Sequence, residues 1–265
     1  MAKTPTAASG KKPKPADDAV IKICTEMNAV GDKALAAAIR ERRSNALGIA
    51  PGDPMAMATH GPAMAAVITK LWKVGRTLKI SYIGTIHPII KNKIETIAAE
   101  WLTYANIKFK FVAAGGDIRI SCKPGGSWSY IGTDALTIAK NKPTMNYGWF
   151  TPDTEEAEFR RVILHEFGHA LGAIHEHQHP GGGIPWDKPM VYAYYARQGW
   201  TNADVDQNIF AKYSFNQLNL TDYDKTSIMH YAVPEELTVG TYSVGWNREL
   251  SANDKVLAKR IYPKT

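Results

Sequence analysis

Cysteine is scarce in this chain: Cys24 and Cys122 are the only two among 265 residues. At most one disulfide is available, so the fold must stand on its core with whatever help a metal gives. No apolar run approaches the roughly 18–20 residues that cross a bilayer, which excludes an integral helical membrane protein, and no membrane partner is expected. The opening MAKTPTAASGKKPKPADD carries charge and small residues but no apolar stretch, so it lacks the hydrophobic region of a secretory signal. The expectation is a chain that stays inside the cell or leaves it by a non-classical route. Acid is in shorter supply than base, 25 residues against 32, for a net charge of +7. Such a balance favours acidic partners. Part of the excess, however, is Lys3, Lys11, Lys12 and Lys14 at the very start. No further basic run forms a stripe on a folded face, so nucleic acid is not expected as a partner.

What is present is an ordinary balance for burying a core, 45% hydrophobic and 22% charged. Residues 1–17, rich in Pro, Lys and Ala, read as a disordered basic tail. Residues 18–70 read as a helical N-terminal extension. Val20, Ile21, Ile23, Cys24 and Met27, then Leu35, Ala38 and Ile39, recur at helical spacing, with Gly48 as a stop. Ala50-Pro51-Gly52-Asp53-Pro54 is a turn cluster, and a Met- and Ala-rich stretch to Lys70 reads as partly helical. From Leu71 the texture changes. Strand patterns over 77–83, 107–112 and 117–122, an amphipathic helix over 89–104 and a short strand over 144–150 predict an α+β sheet domain over 71–265.

Arg160 to Leu171 is a strong helical run containing His165, Glu166 and His169. Positions i and i+4 of a helix share one face a turn apart, so both imidazoles reach one ion. Gly172 comes three residues after His169, and His175 three after that. Glycine leaves a helix in a left-handed conformation without a Cβ penalty, which turns the chain back and presents a third imidazole. Three neutral nitrogens with one position left open describe a catalytic zinc site rather than a closed structural one. Ser227-Ile228-Met229-His230-Tyr231 lies downstream, where a methionine turn completes the metzincin signature.

HEFGHALGAIHEH together with SIMHY resembles the astacin-like branch of the metzincin zinc metallopeptidases, of bacterial or fungal type. Trp128-Ser129-Tyr130-Ile131-Gly132, Tyr223-Asp224 and Leu250-Ser251 through Ile261-Tyr262 agree with that branch, and the resemblance covers 71–265. It implies a twisted mixed sheet with two long helices over an active-site cleft and an irregular C-terminal subdomain. It also implies one catalytic Zn2+ held by His165, His169 and His175, and endopeptidase action on protein or peptide substrates. Glu166 would be the general base that takes a proton from water and passes it to the leaving amine. By the same resemblance Tyr231 is a fifth ligand at rest and an oxyanion donor, and Met229 a hydrophobic floor beneath the imidazoles. Thr144 to Phe150, with Asn146, Tyr147, Gly148 and Trp149, falls in the place of the edge strand that pairs with substrate backbone. The plainer alternative is an edge strand with aromatic packing.

Departures from the pattern are also present. The family's bracing cysteines are missing, Ser127 stands where a Cys usually precedes Trp-Ser, and Glu176-His177-Gln178-His179-Pro180 replaces an acidic and arginine-rich continuation. Zymogens of the clan block zinc with a Cys thiolate or an Asp carboxylate, which makes Cys24 and Asp53 candidates for a zymogen switch. The competing reading is a helical cap with Cys24 as a small buried hydrophobe. His177 and His179 are expected to be solvated. Trp186, Tyr192, Tyr194, Tyr195 and Trp200, on a helix from near Asp187 to Gly199, are expected to be packing. The alternative function is a catalytically inactive zinc-containing module that binds a protein partner. The sequence does not fix the oligomeric state, with a monomer as the working expectation.

Overall fold

Backbone preferences and apolar spacing translate directly into the first elements of the sheet. The computed structural model describes residues 22, 24–48, 66–67, 69–213, 218–219 and 222–264. Strands are β1 (Cys24–Met27), β2 (Ala66–Val67), β3 (Thr77–Tyr82), β4 (Lys108–Phe111), β5 (Ile118–Ser121), β6 (Ser127–Tyr130), β7 (Met145–Asn146) and β8 (Leu218–Asn219). Helices are α1 (Asp32–Glu41), α2 (Pro88–Ala98), α3 (Glu156–Ala170), α4 (Lys188–Ala196), α5 (Asn202–Val205) and α6 (Ala252–Ile261). In β3 the alternation of TLKISY sends Leu78 and Ile80 into the core while Thr77 and Lys79 stay exposed. Helix α2 starts at Pro88, whose fixed φ suits a first helical position, and the His87 ring accepts a hydrogen bond from the Ile89 N–H. Ile90, Ile94 and Ile97 form its buried stripe.

Six strands form one mixed sheet in the order β1-β6-β7-β5-β3-β4, and β2 pairs with β8 in a separate antiparallel ribbon. Within the large sheet only β6 and β7 run antiparallel. Helices α2 and α3 lie together over it. The Trp101 indole N–H donates to the Leu164 carbonyl at 3.0 Å, and Phe109 meets Phe167 with ring centroids 5.2 Å apart. Beyond His175 the chain is mostly turns and short helices. A second apolar cluster there joins Val191, Tyr195, Val205, Ile209, Tyr231 and Leu237. Tyr194 and Tyr195 are buried and Trp186, Tyr192 and Trp200 pack against this cluster, so the aromatic helix α4 is packing, capped by Asp187. Among the described residues no helix is long and apolar enough to cross a membrane. Cys24 and Cys122 are free thiols.

The structure corrects two expectations. Helical spacing continued back through Met27, yet Cys24–Met27 is an extended strand paired parallel to β6, with Cys24 opposite Ser127 and Met27 opposite Tyr130. The exposed backbone edge of β6 offers ladder hydrogen bonds that a short, weakly apolar helix cannot match. Helical character begins only at Asp32, after Gly31. The second correction concerns 144–150, where only Met145–Asn146 is strand, and it is internal, between β5 and β6. Its backbone groups are already engaged: Tyr147 N–H donates to Ser121 O and Gly148 N–H to Ser127 Oγ. The Asn146 amide is used up by Ser121, Lys123 and Gly126, Tyr147 is buried against Phe150, and the Trp149 indole donates to Glu158. No edge is left there for a substrate.

Candidate metal centre

Helix α3 carries His165, Glu166 and His169 on its buried C-terminal half. It ends as the glycine spacing predicts: Gly172, at φ +102°, sends the chain off the helix axis and brings His175 back beneath it. The Nε2 atoms of His165 and His175 lie 3.1 and 3.2 Å from that of His169. His165 Nδ1 donates to the Ile228 carbonyl and His169 Nδ1 to the Ala173 carbonyl, both at 2.9 Å. A carbonyl oxygen only accepts, so each Nδ1 carries the proton and each Nε2 presents a lone pair. Burial holds all three rings on the neutral side, His169 at about 4, and neighbouring imidazoles add to it at His165 and His175. Lone pairs converging at this distance repel one another unless a cation sits among them. The three histidines therefore form a triad that fits a zinc ion.

Glu166 has no solvent exposure, and neither of its oxygens has a hydrogen-bond partner. Burial pushes its pKa up to about 8, against the opposing influence of the Cys24 thiol and the Arg161 charge. Met229 is buried against α3, so close that a Cβ on Gly168 would fall 2.4 Å from its sulfur. The turn carrying it is braced by α6: Asp254 accepts from the Ser227 hydroxyl at 2.6 Å and from the Ile228 N–H at 2.8 Å. The Tyr231 ring packs 4.3 Å from both His175 and His177, and its hydroxyl donates to the Cys24 carbonyl.

That last contact brings the N-terminal extension into the site. The Cys24 thiol is buried beside Glu166 and Arg161, and burial, with the Glu166 carboxylate adding to it, raises its pKa well above the ordinary thiol range. A cavity next to it is lined by Lys22, Arg161, His165, Tyr231, Trp246 and Asn247. Arg161 sits at 8% exposure, held by Glu158 at 2.7 and 2.8 Å and stacked 4.3 Å over the Trp246 ring. Asp53 lies outside the described residues.

His177 and His179 are not solvated. The turn at 176–178 folds inward, leaving His177 buried with Nε2 2.8 Å from Asn208 O, and His179 buried with Nδ1 accepting from Gly181 N–H. The second apolar cluster closes over this turn, which a local reading of a Pro/Gly loop does not foresee. Glu26, Arg161 and Tyr213 reach the site without any sequence signal being read for them. Glu26 had one available: in an extended strand residues i and i+2 share a face, so Cys24 and Glu26 point the same way once 24–27 is taken as a strand.

Comparison with known proteins agrees with this geometry. The family model of the astacin peptidases matches residues 65–243. One structure of myroilysin is 46% identical over 76% of this chain and 98% of its own, with a TM-score of 0.73. A crystal structure of myroilysin is 39% identical over 92% of each chain, with a TM-score of 0.61. High choriolytic enzyme 1, a hatching enzyme zinc-protease of the medaka fish Oryzias latipes, shares the fold at 19% identity, covering 73% of this chain and 94% of its own, TM-score 0.50. No curated protein sequence matches.

Proposed function

This chain belongs to the astacin family of zinc metallopeptidases, and from that premise we propose that it is an endopeptidase held latent by its own N-terminal strand. Zinc in the triad supplies Lewis-acid chemistry, polarising a carbonyl and acidifying water. The remaining work falls to the chain. Glu166, anchored on α3 beside the His165 ligand, takes the proton of the attacking water and delivers it to the leaving amine. Tyr231, at the rim of the triad, turns its hydroxyl from the Cys24 carbonyl to the developing oxyanion once the strand leaves. Met229 and the Asp254 brace hold the floor on which the imidazoles rest.

The observation that carries latency is the seat of β1. It pairs along β6, buries the Cys24 thiol against Glu166 and ties the Tyr231 hydroxyl to the Cys24 backbone. Both proposed catalytic groups are thereby engaged by the extension. Cys24 is the switch residue in this reading.

Casein cleavage tests the proposal, comparing the full chain with a form lacking residues 1–65, each with and without a zinc chelator. Cleavage confined to the shortened, zinc-loaded form is expected. In that form Glu166→Ala should lose about 10²–10⁴-fold in turnover, and Tyr231→Phe about 10²–10³-fold, or about 3–4 kcal/mol. Equal cleavage by both forms would defeat latency. Zinc bound stoichiometrically by both forms, with no cleavage by either, would favour an inactive binding module.

A further inference from the structure

The three imidazoles of the centre are not oriented alike. Behind His165 and His169 stand carbonyl oxygens of Ile228 and Ala173, both from the catalytic part of the chain. Facing His175 Nδ1 is instead Glu26 Oε2, at 3.5 Å, contributed by β1 of the extension. Both side chains are buried, at 3% and 6% exposure. The two oxygens of Glu26 differ in their surroundings. Oε1 accepts from the Tyr213 hydroxyl at 2.8 Å and from the Asn28 amide at 3.4 Å. Oε2 is buried with no hydrogen-bond partner. A carboxylate pinned at one oxygen and turned with its unpartnered oxygen toward a ring nitrogen is aimed, and burying it otherwise costs stability. Its position is fixed by the ladder, with Glu26 opposite Ser129. Anchors follow immediately: Ile131 N–H donates to Met27 O, Ala29 N–H to Asp134, and Lys70 bridges Asn28 and Asp134.

We infer that Glu26 is a positioning residue of the zinc site, its free carboxylate oxygen facing and accepting from the Nδ1–H of His175 and so orienting that imidazole toward the ion. The extension therefore strengthens zinc retention while it covers the site. This rests on the reading of the three histidines as the zinc ligands. The physical basis is general: a carboxylate behind a ligating histidine fixes the tautomer and raises the basicity of the metal-facing nitrogen. Withdrawing β1 leaves His175 alone among the three without an outer partner from this set.

The test is the zinc dissociation constant of the full-length chain, read by competition with a chromogenic chelator, for wild type and Glu26→Gln. Glutamine preserves size and the bond to Tyr213 but presents no carboxylate to the ring. The same pair is measured in a Cys24→Ser background, which removes any thiolate contribution. Affinity lower by roughly 10–100-fold in both backgrounds is expected. Unchanged affinity in Glu26→Gln overturns the inference, as does an effect that vanishes in the Cys24→Ser background. Labelling of Cys24 by a thiol reagent, read by peptide mass, is followed in the single variant. Weakened zinc with Cys24 still protected supports the inference, whereas weakened zinc with Cys24 fully exposed overturns it, since the strand has then simply left. A wild-type chain that binds no zinc would overturn the metal reading itself.

Discussion

At the residue scale the decisive groups are those whose protonation is set by neighbours far away in sequence or one helical turn off. Burial works against ionising Glu158, but the Arg161 fork and the Trp149 indole more than offset it and hold its carboxyl below the usual range. A carboxyl whose folded pKa is depressed contributes stability above its ordinary value, and that contribution is lost as pH falls through the folded pKa. Glu158→Gln should therefore lower the melting temperature at neutral pH. The gap to wild type should close as pH drops from about 5 to below the folded pKa, because protonated glutamate then resembles glutamine. A gap constant with pH in a calorimetric series would show that the Glu158 charge is not what matters. At this same scale the zinc ligands and Glu166 are legible from spacing alone, since one helix and one glycine place them. Glu26 is not, because its role depends on β6, a strand about a hundred residues away.

At the scale of elements, the exit of α3 does the most for the site. Gly172 at φ +102° is the hinge that returns the chain to deliver His175. An alanine there would be strained, by about 1–3 kcal/mol. Gly172→Ala should lower stability by that amount in denaturant titration and weaken zinc retention as His175 shifts. Gly183→Ala, whose Cβ would meet nothing within 4 Å, is the matched control and should do neither. Helix α3 and strands β3, β4 and β5 are readable because their periodicities are consistent over a turn or more. Strand β1 escapes a reading by apolar spacing because Cys24 is its one buried apolar residue, with Met27 exposed and Thr25 and Glu26 polar. The 144–150 segment reads as an edge from sequence because strand order, unlike strand existence, has no local signature.

At the scale of the molecule, the C-terminal helix closes the structure around the site. The Tyr262 hydroxyl donates to Leu171 O at 2.7 Å and accepts from Trp72 N–H at 3.2 Å, while the Trp72 indole donates to Ala170 O at 2.7 Å. These bonds tie the end of α3 to the start of the domain and to α6. Tyr262→Phe should cost about 1–3 kcal/mol in equilibrium unfolding, because it strands a buried carbonyl and a buried N–H. Equal stability would show that the two groups find other partners. The helix also supplies Asp254, which joins the methionine turn to the far end of the chain through Ser227 and Ile228.

What the sequence determined by itself was the chemistry. A helix period puts two imidazoles and a carboxylate in register, a glycine three residues on returns the third, and a later methionine turn completes the signature. All of these rest on short-range geometry that the residues dictate locally. Tertiary structure decided the state of that chemistry: which sheet edge is open, which strand occupies it, and which groups of the extension face the ligands. Those answers depend on pairing between segments distant in the chain, and local preference is silent about partners it cannot reach.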